Sequence, residues 1–290
     1  MTATTLQPDM TRTDWVLLTI PGIIWGASFF LIAEGLEVFP PELITPMRIF
    51  FGFLALICFP ASRVSVPREA FPRIALLGTM WMAIPLTMFP FAELHVSSSV
   101  TGMLNGATPF FVAGVASIIA KKLPTKKQMW GLAIGFSGVI LIAVPTAREG
   151  SNSAGGVAMI FIALACYGVA LNISVGLQRQ YGALPVIVRA QAVSFVLTAP
   201  FGIASLPDAS FSWSAFSAMI VLGIGGTGIA YFMAVTLAGK VGSTRTSVTT
   251  YIMPVVALFL GVVLRNEPVA LLALLGCALA LGGAYATNRT

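Results

Sequence analysis

Residues 97–109 read SSSVTGMLNGATP, and 145 positions later residues 242–254 read GSTRTSVTTYIMP. Superposed, the two strings pair Thr101 with Thr246, Asn105 with Thr250 and Pro109 with Pro254. Each opens an apolar stretch long enough to cross a lipid bilayer. Outward from them, at the same offset, Gly78 meets Gly223, Gly131-x-x-x-Gly135 meets Gly276-x-x-x-Ala280, and Gly138 meets Gly283. A slightly different offset lays Trp25-Gly26 on Tyr167-Gly168. The chain is a tandem of two similar halves.

Of the 290 residues, 57% are apolar and only 9% charged, and the mean hydropathy is +0.93. A soluble domain of this length carries several times that charge. Lipid is therefore the expected solvent. The apolar runs are continuous and do not alternate in polarity, which predicts helices and excludes a closed barrel. Ten spans are predicted, at 15–34, 41–60, 71–91, 97–120, 127–145, 155–177, 184–205, 214–236, 244–264 and 268–287.

The net charge of +6 does not point to nucleic acid, because the Lys and Arg residues sit in short loops with no basic, aromatic-laced face. Cys58, Cys166 and Cys277 all lie in apolar stretches, so neither a disulfide framework nor a metal site is expected, and nothing suggests a cofactor. The first span is too long for a signal-peptide core and is expected to be retained.

Arg63, Arg68, Arg73, Lys121, Lys122, Lys126, Lys127, Arg179 and Lys240 fall on the side shared with Arg12 and Arg289; only Arg148 and Arg265 fall opposite. Positive residues favour the cytoplasm, which puts both termini there. Five spans per half then invert the second half relative to the first. The turn Lys121-Lys122-Leu123-Pro124 is matched by Arg265-Asn266-Glu267-Pro268, a basic turn on one side and an acid-bearing one on the other. The expected organisation is an N-terminal segment (1–14), a first repeat (15–145), an external linker (146–154), a second repeat (155–287) and a C-terminus (288–290). Inverted repeats that meet at the bilayer midplane are a carrier architecture worked by alternating access.

Each half resembles the five-span EamA unit of the drug/metabolite transporter superfamily. The resemblance is carried by Trp25-Gly26-Ala27-Ser28-Phe29 in the first span and Pro46-Met47-Arg48 in the second. In the ninth it runs from Gly242 and Ser243 to Pro254, followed by Glu267, then Gly276 and Gly282-Gly283 in the tenth. It covers essentially the whole chain. It implies an all-α integral membrane fold of ten transmembrane helices, with the first four spans of each half around a central cavity and spans five and ten as outer supports. Members export amino acids, other metabolites or drugs, or carry nucleotide sugars. The short loops and ten spans make the chain similar to the amino-acid exporters, including the YddG type that exports aromatic amino acids. That likeness implies a multi-pass protein of a bacterial inner membrane with a small-molecule substrate, membrane lipid around it, and no required oligomer. The first half departs from the second in having Lys122 where the second has Glu267.

Ser97, Thr101, Asn105 and Thr108 recur at helical spacing on one face, and Thr246 and Thr250, flanked by Ser247 and Thr249, echo them. Stripes of this kind avoid lipid. They are expected either to line a path and bind substrate or to tie helices together. Pro109 and Pro254 each remove a backbone bond in mid-span and are expected to bend or hinge their helices, whereas Pro85 and Pro90 read as packing. Trp25, Met80, Trp81, Tyr167 and Tyr231 are the large candidates for a pocket wall. Opposite Met80 and Trp81, the matched stretch 223–228 is GIGGTG, which leaves room for a slot or for plain packing. That stretch follows no strand, so its likeness to G-x-G-x-x-G carries no dinucleotide site.

Arg48, about seven residues into the second span and roughly 10 Å deep, is expected to pair with Glu42 or helix carbonyls. Glu93 and His95 are expected at a solvated turn. No mid-membrane carboxylate is found, which predicts an electrically neutral cavity without an obvious coupling ion. Such a cavity suits zwitterionic amino acids such as phenylalanine, threonine or methionine better than the alternative cargoes, cationic drugs or nucleotide sugars. No metalloprotease motif, paired aspartates or Ser–His constellation is present for an embedded enzyme.

Overall fold

In lipid each backbone N–H must find its partner within its own segment. The computed structural model describes residues 10–121 and 125–288, and these fold into helices with no strand among them. Lys122 with its turn, the segment 1–9 and Arg289 lie outside the described residues. Ten principal helices follow: α1 (Arg12–Leu36), α2 (Pro41–Ile57), α3 (Arg68–Glu93), α4 (Ser98–Ala120), α5 (Lys126–Arg148), α6 (Ser151–Tyr181), α7 (Ala183–Ala204), α8 (Trp213–Val241), α9 (Ser243–Arg265) and α10 (Leu271–Asn288). Eight are long and apolar enough to cross a membrane; α2, at 17 residues, and α10, whose apolar stretch is Leu271–Gly283, are shorter. The second span ends earlier than predicted because Pro60 cannot continue the α-helical ladder and opens a 3₁₀ turn instead.

Local chemistry sets the helix ends. Thr11 and Asp14 form a reciprocal cap at the start of α1. Gly182 and Gly242, with φ of +83° and +86°, let α6 turn into α7 and α8 into α9 within one residue. The halves echo each other in backbone as well as sequence: α4 ends on Lys121 and α9 on the matched Asn266, both left-handed with φ of 51° and 52°.

The interruptions recur too. α3 widens into a π-turn at Thr79–Ala83 and α8 at Leu222–Ile229. α4 breaks between Ser98–Asn105 and Thr108–Ala120, while α9 tightens to 3₁₀ at Ser247–Tyr251 before Met253–Arg265. Each of the latter breaks stands just ahead of its proline, Pro109 or Pro254, where the missing N–H frees a carbonyl one turn back.

α4 runs antiparallel to α9, and α5 antiparallel to α10. The α5–α10 seam is backbone on backbone: a Cβ at Gly138 would lie 2.4 Å from the Ala280 nitrogen, and one at Gly283 would lie 2.2 Å from that of Gly135. Close approach through small residues is how helices associate where lipid offers no hydrophobic drive. One end of the bundle holds Glu34, Glu37 and Glu267 with Arg265 (the acidic end); the other holds Arg179 and Lys240 (the basic end), with Lys240 pairing to Asp14 at 3.3 Å.

Candidate functional site

Seven helices converge on a central cavity. It is lined by Trp25, Ser28, Phe29 and Ile32 of α1, Arg48 of α2, and Trp81, Leu86 and Phe89 of α3. The rest of the wall is Asn105 and Thr108 of α4, Tyr167 and Leu171 of α6, Tyr231 of α8, and Thr246, Ser247, Thr250 and Met253 of α9. Among the described residues, none from α5, α7 or α10 lines it. The space is about 40 Å³, enough for a few waters.

Tyr231 organises the aromatic wall. Its ring stands edge-on to Trp25 at 5.3 Å between centroids and tilted against Trp81 at 5.1 Å. On the other flank Phe89 packs between Phe29 at 5.5 Å and Tyr167 at 6.0 Å. The hydroxyl of Tyr231 donates to the Trp81 carbonyl at 2.9 Å. That carbonyl lacks its regular α-helical partner, because residue 85 is a proline. Pro85, expected only to pack, thus helps position the aromatic wall. The π-turn of α8 offers carbonyls in the same way: Gly226 accepts the Trp25 indole N–H at 2.9 Å, and Thr227 accepts the Gln191 amide at 2.6 Å.

The hydroxyls facing the cavity direct their protons into their own helices. Thr246 donates to the Gly242 carbonyl at 2.8 Å, Ser247 to Thr244 at 2.7 Å and Thr250 to Ser247 at 2.7 Å. The Thr108 hydroxyl lies 2.7 Å from both the carbonyl and the side-chain oxygen of Asn105. A hydroxyl so used presents its lone pairs outward and acts as an acceptor.

Arg48 corrects the expectation of a neutral cavity. It is 2% exposed, borders the cavity, and is paired neither with Glu42 nor with helix carbonyls. Its Nε donates to the Thr227 hydroxyl at 3.0 Å. Glu93 also departs from the sequence reading: both carboxylate oxygens are buried with no hydrogen-bond partner, one turn beyond the lining residue Phe89. His95 is exposed at the turn, as expected.

Of the large and polar candidates, the structure brings Trp25, Trp81, Asn105, Tyr167, Tyr231, Thr246 and Thr250 together around the cavity. Met80 packs instead into an apolar cluster beside it, and the buried Thr101 hydroxyl caps the Ser97 carbonyl within α4 at 3.0 Å. The GIGGTG stretch makes no slot for Trp81. Its Gly223 faces α2, where a Cβ would lie 2.8 Å from the Arg48 carbonyl. Sequence reasoning passed over Arg48 because depth along a helix does not reveal which face meets a neighbour; Gly52, one turn on, was the available signal for the α2–α8 contact.

At the acidic end, Glu267 accepts four bonds from the start of α4. The Ser98 and Ser99 hydroxyls donate at 2.7 and 2.6 Å, and their backbone N–H groups at 3.1 and 2.8 Å. Burial alone would raise the Glu267 carboxyl, but these donors outweigh it and hold the group below its ordinary value. Arg265 pairs with Glu34 of α1 and with Glu37 just after it, and lies 3.9 Å from Glu267. No cluster of potential metal ligands occurs among the described residues.

Helices long and apolar enough to cross a membrane surround a central cavity, an arrangement that fits a carrier-type membrane protein. The EamA-like transporter family matches the chain twice, over residues 15–144 and 154–289. An uncharacterized inner membrane transporter, YedA, of Escherichia coli K12 is 27% identical over 84% of this chain and 80% of its own. A probable terminal-alkyne amino-acid exporter of Streptantibioticus cattleyicolor is 25% identical over 97% of this chain and 94% of its own. A solved crystal structure superposes with a TM-score of 0.70 at 18% identity, covering 96% of this chain and 98% of that one, which shows the same fold. The chain belongs to the EamA-like transporter family. It is a multi-pass membrane transporter and not an enzyme.

Proposed function

We propose that this protein exports amino acids with apolar or aromatic side chains, and related metabolites, across a bacterial inner membrane. In this reading ten helices span the bilayer as two inverted five-helix repeats, 15–145 and 155–287, with both termini cytoplasmic. The basic end then faces the cytoplasm, and the solute crosses by alternating access through the central cavity. The antiparallel pairing of α4 with α9 and of α5 with α10 supports the inversion. The proposed binding residues are Trp25, Trp81, Asn105, Tyr167, Tyr231, Thr246 and Thr250, and Pro109 and Pro254 stand where α4 and α9 would flex.

The observation that carries the substrate class is the cavity wall itself. An aromatic cage accommodates an apolar side chain, and hydroxyls whose protons are spent on their own helices accept from an ammonium group. The Streptantibioticus relative, named as an amino-acid exporter, agrees with this class. At about 40 Å³ the cavity must widen to admit such a solute.

The test is counterflow in proteoliposomes with labelled phenylalanine and threonine. Exchange well above protein-free vesicles is expected, with cationic dyes excluded. Dye flux without amino-acid flux would replace this reading by that of a drug exporter.

A further inference from the structure

We propose that Arg48 is the receptor for a carboxylate of the transported solute, so that the cavity selects for a carboxylate as well as for an apolar body. The inference rests on the transport reading above and names the chemical group that its site takes. Arg48 is almost wholly buried and borders the cavity. Its one hydrogen bond uses Nε, directed at the Thr227 hydroxyl. Neither Nη group has a hydrogen-bond or ion-pair partner among the described residues. Gly226 keeps the space beside the guanidinium open: a Cβ there would stand 3.5 Å from one Nη and 3.0 Å from the Ser28 hydroxyl.

A guanidinium keeps its charge at physiological pH. Buried without a counter-ion, it costs several kcal/mol. Glu93 lies within electrostatic range but forms no ion pair with it. An anion from outside the chain therefore completes the site. Two parallel N–H groups match the two oxygens of a carboxylate. A doubly charged phosphate fits poorly, because Arg48 is the only cation on the wall among the described residues and the hydroxyls of Thr246, Ser247 and Thr250 present acceptors. Thr227 fixes the plane of the fork, and its own carbonyl is anchored by Gln191.

The experiment follows thermal unfolding of the full-length protein in lipid nanodiscs during titration with 3-phenylpropionate, phenylalanine and phenethylamine. The two acids are expected to half-saturate the wild type at concentrations at least about tenfold below the amine. Arg48→Gln should weaken both acids by about a hundredfold while leaving the amine within about twofold. Arg48→Lys should fall between. Should Arg48→Gln fail to fold, Arg48→Lys and Thr227→Val carry the comparison, the latter weakening only the acids. Equal binding of acid and amine to the wild type, acids that bind the variants as tightly as the wild type, or no acid-induced shift in the wild type would each overturn the assignment. If these shifts hold but wild-type liposomes move no amino acid, the export reading falls and Arg48 stands. If phenylalanine moves and the variants bind it unchanged, the reverse follows.

Discussion

Glu267→Ala should unlatch the acidic end. In the wild type this carboxylate takes four hydrogen bonds from Ser98 and Ser99, tying the loop after α9 to the first turn of α4. A hydrogen bond to a charged group contributes about 1.5–3 kcal/mol net. Here the four donors share one carboxylate and regain water when the end opens, so about 3 kcal/mol for the whole cluster is a reasonable magnitude. That corresponds to about a hundredfold shift between closed and open populations. Arg265 with Glu34 and Glu37 still joins α9 to α1, so the release is confined to α4. The assay places a single cysteine in the cavity, Thr250→Cys, after replacing Cys58, Cys166 and Cys277. An impermeant maleimide is then added from the Glu267 side. Labelling should quicken steeply in the Glu267→Ala background, and in the wild type as pH falls once the rate is divided by that of a fully exposed cysteine, which removes the loss of thiolate. The sign follows from the depressed carboxyl: the latch is complete above the ordinary glutamate range and is lost as pH drops through the lowered value. An unchanged labelling rate beside a lowered melting temperature would make Glu267 a mere helix cap and refute the reasoning.

Two further outcomes test the architecture. Tyr231→Phe should cost about 1–2 kcal/mol, because the Trp81 carbonyl loses its partner, and much less in a Pro85→Ala background where the backbone can supply one; a double-mutant cycle by thermal unfolding measures the difference. Gly138→Ala should destabilise by more than about 2 kcal/mol, since the added carbon would sit 2.4 Å from backbone atoms of α10; a melting temperature equal to wild type would show that the α5–α10 seam is looser than described.

Much of this arrangement was legible in the sequence, and each success has a physical reason. Continuous apolar runs declare helices because lipid permits little else. The 145-residue offset anticipated matched breaks at Pro109 and Pro254, since a missing N–H is a local property. The polar stripes of α4 and α9 were found by spacing alone. What failed was azimuth. Met80 and Trp81 are neighbours, yet a helix turns about 100° between them, and only Trp81 meets the cavity. Arg48 was measured by depth when its direction mattered. The π-turns at Thr79–Ala83 and Leu222–Ile229 were unforeseen because no residue type enforces them, although Pro85, four residues after Trp81, marks the freed carbonyl in α3.

The departure between the halves at Lys122 and Glu267 bears on which end opens. α4 and α9 begin with equivalent turns, and each needs acceptors for its first N–H groups. At the acidic end a carboxylate from the opposite half supplies them to α4. At the start of α9 the Ser243 hydroxyl donates to the side-chain oxygen of Asn172, a neutral bond at 2.9 Å, and the residue matched to Glu267 is a lysine. A lysine side chain offers only donors, so it could not take the bonds that Glu267 accepts from N–H groups. A charge-assisted latch therefore holds the start of α4. A Glu267→Lys exchange would remove the latch and add a like charge beside Arg265, and the same cavity cysteine should then label from the Glu267 side at least as fast as in the Glu267→Ala background.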